Sequence, residues 1–280
     1  VRIPHSPPMT DTSLLAIARG IAVEAAERVA EARRGIVEVA DVKSSSVDVV
    51  TQVDRDTESF IRGRLLELRP DDAFLGEESG GGGGTSGLTW VVDPIDGTVN
   101  FLYGIPHYAV SIAVVEGEPD PQSWTALAGA VINPATGELF TGSAGGGAFL
   151  GEQPLRVSRP DSLERTLLAT GFAYDAAIRA EQGAVVARLL SRVRDIRRMG
   201  TASLDLCAVA SGRVDAYFER TLNPWDHAAG ALIAEEAGAR VSGLGVPRPS
   251  TAFLLAAHPE LAALLEPLLL EVAADGPEQS

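Results

Sequence analysis

The chain has 280 residues, of which 45% are apolar and 5% aromatic. This composition is typical of a globular enzyme with an aliphatic core rather than of a disordered chain, and the length fits one large α/β unit or two domains with a shared interface. The 23 Lys and Arg residues against 38 Asp and Glu give a formal net charge of −15. Because such a chain repels polyanions, nucleic acid and anionic membranes are poor candidates for its partners, whereas carboxylates that hold divalent cations would attract a small anionic substrate.

The cysteine content and the first residues indicate the compartment. The single cysteine, Cys207, excludes an internal disulfide and is typical of a reducing environment. The first eight residues are too polar and too rich in proline for the apolar segment of a signal peptide. Since no apolar run approaches the ~20 residues that span a bilayer, we expect a cytoplasmic protein with no membrane association.

The chain begins with a predicted arm and two helices. Residues 1–10 are expected to be disordered, and residues 10–12 are candidate caps for a long helix whose apolar positions recur with helical spacing over 14–29. The segment 42–53 is rich in Ser and Asp without a period, which predicts a loop with short extended pieces. A second helix is predicted over about 54–68 and is ended by a proline.

The pattern then changes to strands and later alternates. Strands are predicted in the first half at 73–75, 89–92, 108–115, 127–132 and 138–141. The glycine run 80–84 is interpreted as a flexible connector, and a phosphate-binding role is not expected because no helix pattern follows it. In the second half, strands are predicted at 167–170, 214–218 and 253–256, and helices at 181–192, 202–210, 226–236 and 259–272.

This order of elements predicts a layered α/β fold whose N-terminal part is α+β. The expected division is an N-terminal α+β domain over 11–152, with most of the metal ligands, and a C-terminal α/β domain over 153–280, with the substrate-side residues. The metal site is expected between the two parts.

Three acidic patches lie at predicted strand ends and helix starts, which form the rim of an α/β sheet where sites are usually built. They are Gly-Glu-Glu-Ser at 76–79, Asp-Pro-Ile-Asp-Gly-Thr at 93–98, and Trp-Asp at 225–226. A single D-x-x-D is weak evidence for a metal site, because helix caps and solvated turns produce the same pattern. The three patches together are the stronger signal.

The middle patch predicts the chemistry. Asp93 and Asp96 flank a proline that stiffens the turn, so the two carboxylates can converge while the Ile95 carbonyl stays free. Carboxylate and carbonyl oxygens are the ligands that magnesium prefers. Gly97 and Thr98 follow at a possible helix start, whose N–H groups suit a phosphate, and the Thr98 hydroxyl can orient a water.

These patches resemble the signatures of the inositol monophosphatase family. The middle one continues into Val-Asn-Phe at 99–101, and the last continues as W-D-x-A-A-G over 225–230. The upstream loop with Lys43 and the segment 48–54, the Gly-Thr-Ala-Ser at 200–203 and Glu219 also agree. The resemblance covers about residues 12–270 and implies an α-β-α-β-α sugar-phosphatase fold.

The resemblance also implies roles for individual residues. It implies that two or three Mg²⁺ ions are bound by the side chains of Glu77, Asp93, Asp96 and Asp226 and by the carbonyl of Ile95. Glu77, Thr98 and Asp48 are implied to hold and polarise the attacking water. Because magnesium offsets the charge of the phosphate dianion, no cysteine, serine or histidine nucleophile and no phosphoenzyme is required.

The implied substrate is a small phosphorylated polyol or sugar. The substrate-side residues are implied to be Asp96, Gly97, Thr98, Ala202 and Glu219. Lys43 and Glu78 are lesser candidates for the site: Lys43 could be only a surface lysine, and Glu78 only a solvated neighbour of Glu77 with a secondary role. The Val-Asn-Phe after D-G-T favours inositol 1-phosphate or fructose 1,6-bisphosphate over the histidinol phosphate and 3′-phosphoadenosine branches. A non-catalytic regulatory binding protein is the rival hypothesis, although the intact set of ligand positions disfavours it. A homodimer and inhibition by lithium are further implications.

Other conspicuous residues are interpreted as structural. Magnesium prefers oxygen, so His107 and His227 are expected to have structural roles, and Cys207 is expected to pack in the core. A basic run is interpreted as a solvated face, with a substrate-side or dimer-side patch as the alternative; it consists of Arg192, Arg194, Arg197 and Arg198.

Overall fold

The computed structural model describes residues 13–35, 39–42 and 49–274. The expected arm over 1–10 and two predicted site residues, Lys43 and Asp48, lie outside the described residues. Over the described ranges, every helix is too short or too polar to span a bilayer.

The described residues form helices and strands in an order close to the predicted one. The helices are α1 (Leu14–Ala32), α2 (Gln52–Leu68), α3 (Thr98–Tyr103), α4 (Ala176–Leu189), α5 (Ala202–Ala210), α6 (Pro224–Glu236) and α7 (Pro259–Ala274), with a 3₁₀ turn at Leu163–Arg165. The strands are β1 (Val39–Val42), β2 (Val49–Thr51), β3 (Ala73–Gly76), β4 (Gly80–Gly82), β5 (Leu88–Asp96), β6 (Ala109–Glu116), β7 (Thr125–Ile132), β8 (Leu139–Ser143), β9 (Gly147–Leu150), β10 (Gln153–Pro154), β11 (Leu167–Thr170), β12 (Asp195–Arg197), β13 (Ala216–Glu219), β14 (Arg240–Ser242) and β15 (Leu254–Ala257).

Two main sheets organise the molecule. The first has eight strands in the order β10-β9-β8-β7-β6-β5-β3-β4, and only its β3–β5 pair is parallel. The second has five strands in the order β12-β11-β13-β15-β14, with β11 parallel to both of its neighbours. A small antiparallel pair, β1 and β2, precedes α2.

The helices form layers around these sheets. Helices α1 and α2 cover one face of the first sheet, α5 and α6 fill the space between the sheets, and α4 and α7 cover the outer face of the second. The side chains of β5 alternate accordingly, with Trp90 and Val92 in the outer core beside α1 and Val91 in the central core. On β13, Tyr217 likewise points to the central core and Phe218 to the outer one. These layers confirm the predicted α-β-α-β-α fold, while the division into two domains at 152 and 153 stays a prediction.

Three predictions of secondary structure need correction. The glycine run is not wholly a flexible connector, because Gly80–Gly82 pairs with β3 as an edge strand through backbone hydrogen bonds that need no side chain. Helix α4 lies earlier than the predicted 181–192, since the Asp175 carboxylate accepts hydrogen bonds from the N–H groups of Ala177 and Ile178 and starts it there. The short polar strands β12 and β14 have no periodic pattern and were not predicted.

Helices α5 and α6 approach each other closely in the central layer. A Cβ atom added at Gly230 of α6 would lie 2.8 Å from the Leu206 Cβ and 3.1 Å from the Ser203 carbonyl oxygen, both on α5. Glycine is therefore required there for space rather than for an unusual backbone angle. This contact matters because the first turns of both helices contribute to the cavity described below.

We predict that Gly230→Ala lowers the free energy of unfolding by about 1–3 kcal/mol, because the added methyl group overpacks the contact between the two helices. This loss outweighs the ~1 kcal/mol that alanine normally adds over glycine in a helix. Urea denaturation measures both effects.

The matched control is Gly183→Ala in α4, where an added Cβ meets nothing within 4 Å. This variant should raise the free energy of unfolding by about 0.5–1 kcal/mol. Equal stabilisation of both variants would contradict the close packing of α5 against α6.

Candidate active site

A cavity of about 210 Å³ lies where strands of both sheets end and where α5 and α6 begin. Its lining includes every described residue of the predicted site except Glu78. These residues are Glu77, Asp93, Ile95, Asp96, Gly97, Thr98, Ala202, Glu219 and Asp226. The fold therefore brings residues from 77 to 226 of the chain to one place, while their individual roles stay predictions.

A bulge in β5 lets Asp93 and Asp96 share the cavity. Residues three apart on a regular strand point to opposite faces of the sheet. Here Asp93 pairs with Ser111 and Asp96 with Ala109, so three steps along β5 match two along β6. The extra residue turns both carboxylates to the same side, and Asp93 Oδ1 accepts a hydrogen bond from the Ile95 N–H at 3.1 Å.

Gly97 completes this turn because only glycine suits its position. Its φ is +90°, and a Cβ there would lie 2.4 Å from the Thr201 Oγ1. Both observations exclude a larger residue between Asp96 and Thr98. The D-G-T order is thus a steric requirement of the turn that opens α3.

Two carboxylates of the site, Asp96 and Asp226, are fixed by contacts at helix starts. Asp96 Oδ2 accepts hydrogen bonds from the backbone N–H of Ser203, at 2.7 Å, and from its hydroxyl, at 2.5 Å, in the first turn of α5. Asp226 lies in the first turn of α6, where its Oδ2 accepts from the Asn223 N–H at 2.6 Å in a capping box. The helices that pack between the sheets thereby orient both side chains.

Asp54 is a carboxylate of the site to which the sequence analysis gave no role. The Thr98 Oγ1 lies 3.1 Å from Asp54 Oδ1 and 3.0 Å from the Ile95 carbonyl oxygen, two acceptors that compete for its one proton. Asp54 Oδ2 accepts from the backbone and the hydroxyl of Thr51 at the start of α2. Burial raises the pKa of Asp54 to about 6, against the opposing effect of the Thr51 hydrogen bonds.

The sequence contains one signal for Asp54. Thr51 and Asp54 have the spacing of a helix cap and its partner, which places a carboxylate at the start of α2. Only the tertiary structure shows that its second oxygen points to Thr98, 44 residues further along the chain.

Glu58, also on α2, holds the turn that bears Glu77. Its carboxylate accepts hydrogen bonds from the N–H groups of Glu78 and Ser79, both at 2.8 Å, and the side chain is 3% exposed. A Cβ added at Gly76 would lie 2.3 Å from Glu58 Oε2. The glycine of the Gly-Glu-Glu-Ser patch therefore makes room for the buried carboxylate that fixes this turn.

The carboxylates of the cavity are buried and repel one another. Burial, followed by the charges of Glu77, Asp96 and Asp226, raises the pKa of Asp93 well above its ordinary value. Burial, followed by Glu77 and Asp96, does the same for Asp226, and burial raises the pKa of Asp96 to about 6. The site thus contains more negative charge than the protein itself neutralises.

This donor set fits divalent cations. In the described part of the chain, no three His, Cys, Asp or Glu side chains already have the mutual geometry of a formed metal cage. The carboxylates are nevertheless gathered around one cavity, together with the Ile95 carbonyl, and their shared charge is what a divalent cation would offset. An all-oxygen set is the kind that Mg²⁺ selects.

The opposite wall of the cavity comes from the second sheet. Glu219 ends β13, and the Tyr217 hydroxyl donates a hydrogen bond to Glu219 Oε2 at 2.5 Å. Burial raises the pKa of Glu219 to about 7, while the Tyr217 hydrogen bond and the charge of Arg198 act in the other direction. A Cβ at Gly171 would lie 1.9 Å from Glu219 Oε2, so the loop at 171–174 can pass beside this carboxylate only because it begins with glycine.

Arg198 is exposed, as expected for the basic run, but it also lines the cavity, which favours the substrate-side alternative for this residue. Its guanidinium carbon lies 5.8 Å from the centre of the Phe172 ring. The neighbouring Arg197 differs, because it pairs with Asp195 at 2.7 Å and is absent from the cavity lining.

Neither histidine lines the cavity. The backbone carbonyl of His107 accepts hydrogen bonds from the side chains of Asn100 and Thr201, at 2.8 and 2.9 Å, which braces the turn beside Gly97. His227 is 2% exposed, and burial lowers its pKa to about 4, so the ring is neutral. Cys207 is fully buried in the central core.

Comparisons with known proteins extend over nearly the whole chain. The Inositol monophosphatase family matches residues 10–272. The inositol-1-monophosphatase SuhB of Mycobacterium tuberculosis (strain H37Rv) is 46% identical over 269 residues, which cover 89% of this chain and 90% of the relative. The Nus factor SuhB of Xylella fastidiosa is 41% identical over 239 residues, covering 82% and 84%. The solved structure of the extragenic suppressor protein suhB from Bartonella henselae has a TM-score of 0.83 at 35% identity, covering 90% of this chain and 96% of that one.

We predict that magnesium stabilises the protein more at pH 7.5 than at pH 5. The pKa values of Asp54 and Asp96 are about 6 in the folded state against an ordinary 3.8, so the folded state binds more protons than the unfolded state between these values. Their contribution to stability is therefore present at low pH and lost as the pH rises through about 6. A cation can take the place of the Asp96 proton at pH 7.5, and a Tm gain of roughly 5 °C over a chelator control is expected by thermal denaturation.

Asp93→Asn tests the same charge repulsion at a constant pH. The variant should be more stable than the parent in chelator at pH 7.5, by about 0.5–2 kcal/mol, and should gain less from magnesium. Equal magnesium gains at both pH values and in both proteins would show that the carboxylates do not bind the ion.

Proposed function

The chain belongs to the inositol monophosphatase family, and we propose that it is a magnesium-dependent phosphomonoesterase that hydrolyses inositol 1-phosphate or a similar polyol or sugar phosphate. The observation that carries this proposal is that four carboxylates line the cavity next to a threonine whose hydroxyl is hydrogen-bonded to a fifth carboxylate. They are Glu77, Asp93, Asp96 and Asp226, with Thr98 hydrogen-bonded to Asp54.

The metal ligands proposed are those that surround the cavity. Glu77, Asp93, Asp96 and Asp226 would hold two or three Mg²⁺ ions with the carbonyl of Ile95. When bound, the ions supply charge neutralisation for the phosphate dianion and polarise the scissile ester. The rigid attachment of Asp96 to α5 and of Asp226 to α6 supports this assignment, since preorganised ligands need no rearrangement.

Thr98 and Asp54 are proposed to handle the proton of the attacking water, a role for which the sequence analysis paired Thr98 with Asp48, a residue outside the described ranges. When the Thr98 hydroxyl donates to Asp54 Oδ1, its oxygen is free to accept a hydrogen bond from a water in the cavity. Proton transfer from water to Thr98 is matched by transfer from Thr98 to Asp54. A pKa of about 6 suits Asp54 as the final acceptor near neutral pH.

Recognition of the substrate is assigned to the opposite wall. Glu219 lies there on β13, at a wall that also includes Ala202 of α5, and its carboxylate can accept hydrogen bonds from ring hydroxyls. The relative from Mycobacterium tuberculosis, named an inositol-1-monophosphatase, supports inositol phosphate as the first substrate to test. Fructose 1,6-bisphosphate, histidinol phosphate and adenosine 3′,5′-bisphosphate are the alternatives.

A regulatory function is the second candidate. The relative from Xylella fastidiosa is named a Nus factor, which is the observation in favour of a binding role. The complete set of carboxylates and the Thr98–Asp54 pair favour catalysis, and the two functions can coexist in one protein. A homodimer and inhibition by lithium stay predictions from the family resemblance.

The experiment that tests the proposed function is phosphate release from inositol 1-phosphate and the three alternatives, each with magnesium and with chelator. Magnesium-dependent release that is fastest with inositol 1-phosphate would support the proposal. Release that persists in chelator, or no release from any of the four compounds, would overturn it.

We predict that Thr98→Ala lowers kcat roughly 100-fold with little change in KM, because the hydroxyl acts mainly in the transition state. Steady-state kinetics with inositol 1-phosphate measures the two constants. Thr98→Ser, which keeps the hydroxyl, is the matched control and should recover most of the rate. A Ser variant as slow as the Ala variant would show that the methyl group, and hence packing, is what the site requires.

Loss of Glu219 should affect recognition rather than chemistry. We predict that Glu219→Ala weakens transition-state binding of inositol 1-phosphate, as measured by kcat/KM, by ~1–3 kcal/mol. The effect on p-nitrophenyl phosphate, which has no polyol hydroxyls, should be much smaller. Comparison of kcat/KM for the two substrates measures this difference. An equal loss with both would indicate a structural role.

A further inference from the structure

The wall of the cavity that includes Glu219 also carries a positive charge. Among the described residues that line the cavity, Arg198 is the only basic one, against five carboxylates. It directly follows β12, and Glu219 ends β13, two strands of the second sheet. Arg198 therefore lies on the same side of the cavity as Glu219, and its charge lowers the pKa of that carboxyl.

Two neighbours lie beside the guanidinium group of the exposed Arg198. It packs against the Phe172 ring and lies over Gly200, where a Cβ would be 2.4 Å from its Nη1. Because φ of Gly200 is +86°, this glycine serves both the backbone turn and the close approach of the guanidinium.

The loop that bears Phe172 is itself anchored to α4. The buried Gln182 side chain accepts a hydrogen bond from the Ala173 N–H at 2.8 Å, and Arg179 donates to the Ala173 carbonyl at 3.0 Å. These contacts fix the backbone next to Phe172, so this part of the wall needs little ordering when a ligand binds.

The N–H groups of Arg198 are available to a ligand. Its guanidinium lies over the Phe172 ring, and no carboxylate of the described residues forms an ion pair with it. A guanidinium stays charged at all physiological pH values and has five N–H donors in one plane. Hydrogen-bond acceptors for those that face the cavity must come from water or from the bound substrate.

Glu219 provides the complementary group. Its Oε2 is oriented by the Tyr217 hydroxyl, so a fixed acceptor lies on the same wall as the guanidinium donor. Neighbouring hydroxyls of a polyol satisfy both, because one donates to a carboxylate while the oxygen of the other accepts from a guanidinium. A second phosphate would suit Arg198 alone and would be repelled by the carboxylate of Glu219.

We propose that Arg198 is a specificity-determining residue, whose guanidinium donates a hydrogen bond to a ring hydroxyl of the substrate next to the hydroxyl bound by Glu219. This inference rests on the proposed function and names the chemical feature that its substrate must have, a pair of adjacent hydroxyls. Glu219 as acceptor and Arg198 as donor would then together distinguish polyol phosphates from simple phosphomonoesters.

The test compares three substrates with three variants. Arg198→Ala should lower kcat/KM for inositol 1-phosphate roughly 10- to 100-fold, mainly through KM, and that for p-nitrophenyl phosphate threefold or less. Arg198→Lys, which keeps the charge but not the planar donors, should fall between the Ala variant and the parent. The matched control is Arg197→Ala, which removes the adjacent arginine outside the cavity and should stay within about twofold of the parent on both substrates.

Other results would overturn the inference. Equal losses with both substrates, or an equal effect of Arg197→Ala, would show that Arg198 acts on structure or on overall charge. A loss confined to fructose 1,6-bisphosphate, the third substrate, would show that the group recognised is a second phosphate. The parent protein distinguishes the two proposals. If it hydrolyses none of the substrates in the presence of magnesium, the proposed function itself is refuted.

Discussion

The structure depends on one constraint, the repulsion between carboxylates that are buried around a single cavity. Burial raises the pKa of Asp93, Asp96 and Asp226, and the neighbouring carboxylates raise it further for Asp93 and Asp226. Such a cluster is costly to fold, and it persists only where the surrounding structure fixes each member. The β5 bulge, the first turn of α5 and the first turn of α6 do so, each through hydrogen bonds to one carboxylate.

The layered fold explains how these attachments meet. Helices α5 and α6 lie between the two sheets, so their first turns face the ends of β5 in one sheet and β13 in the other. The close approach at Gly230 sets the spacing of these helices. Packing of the central layer therefore affects both the stability of the protein and the geometry of the site. Overpacking this layer would move Asp96 relative to Asp226.

The two walls of the cavity have different chemistry. The side formed by the first sheet and α2 bears carboxylates and the Thr98–Asp54 pair, which suit the proposed metal binding and proton transfer. The second sheet and its loops contribute Glu219 and Arg198, an acceptor and a donor that suit hydroxyl recognition. Because the two groups lie on different elements, a substitution on one side of the cavity can alter recognition without removing a proposed metal ligand on the other.

Local patterns in the sequence determined the helices with clear periodicity, most strands of the first sheet, and the acidic turn at 93–98, because periodicity and turn chemistry act between near neighbours. The tertiary structure alone decided which distant groups meet. The partnership of Thr98 with Asp54 depends on how α2 packs beside β5, and no local pattern gives that distance. The short strand β12 exists because β11 pairs with it, and Arg198 follows it into the cavity although its sequence context is that of a solvated arginine run. The sequence alone determined where the acidic turns lie. The packing of two sheets around α5 and α6 decided which of these turns share one cavity.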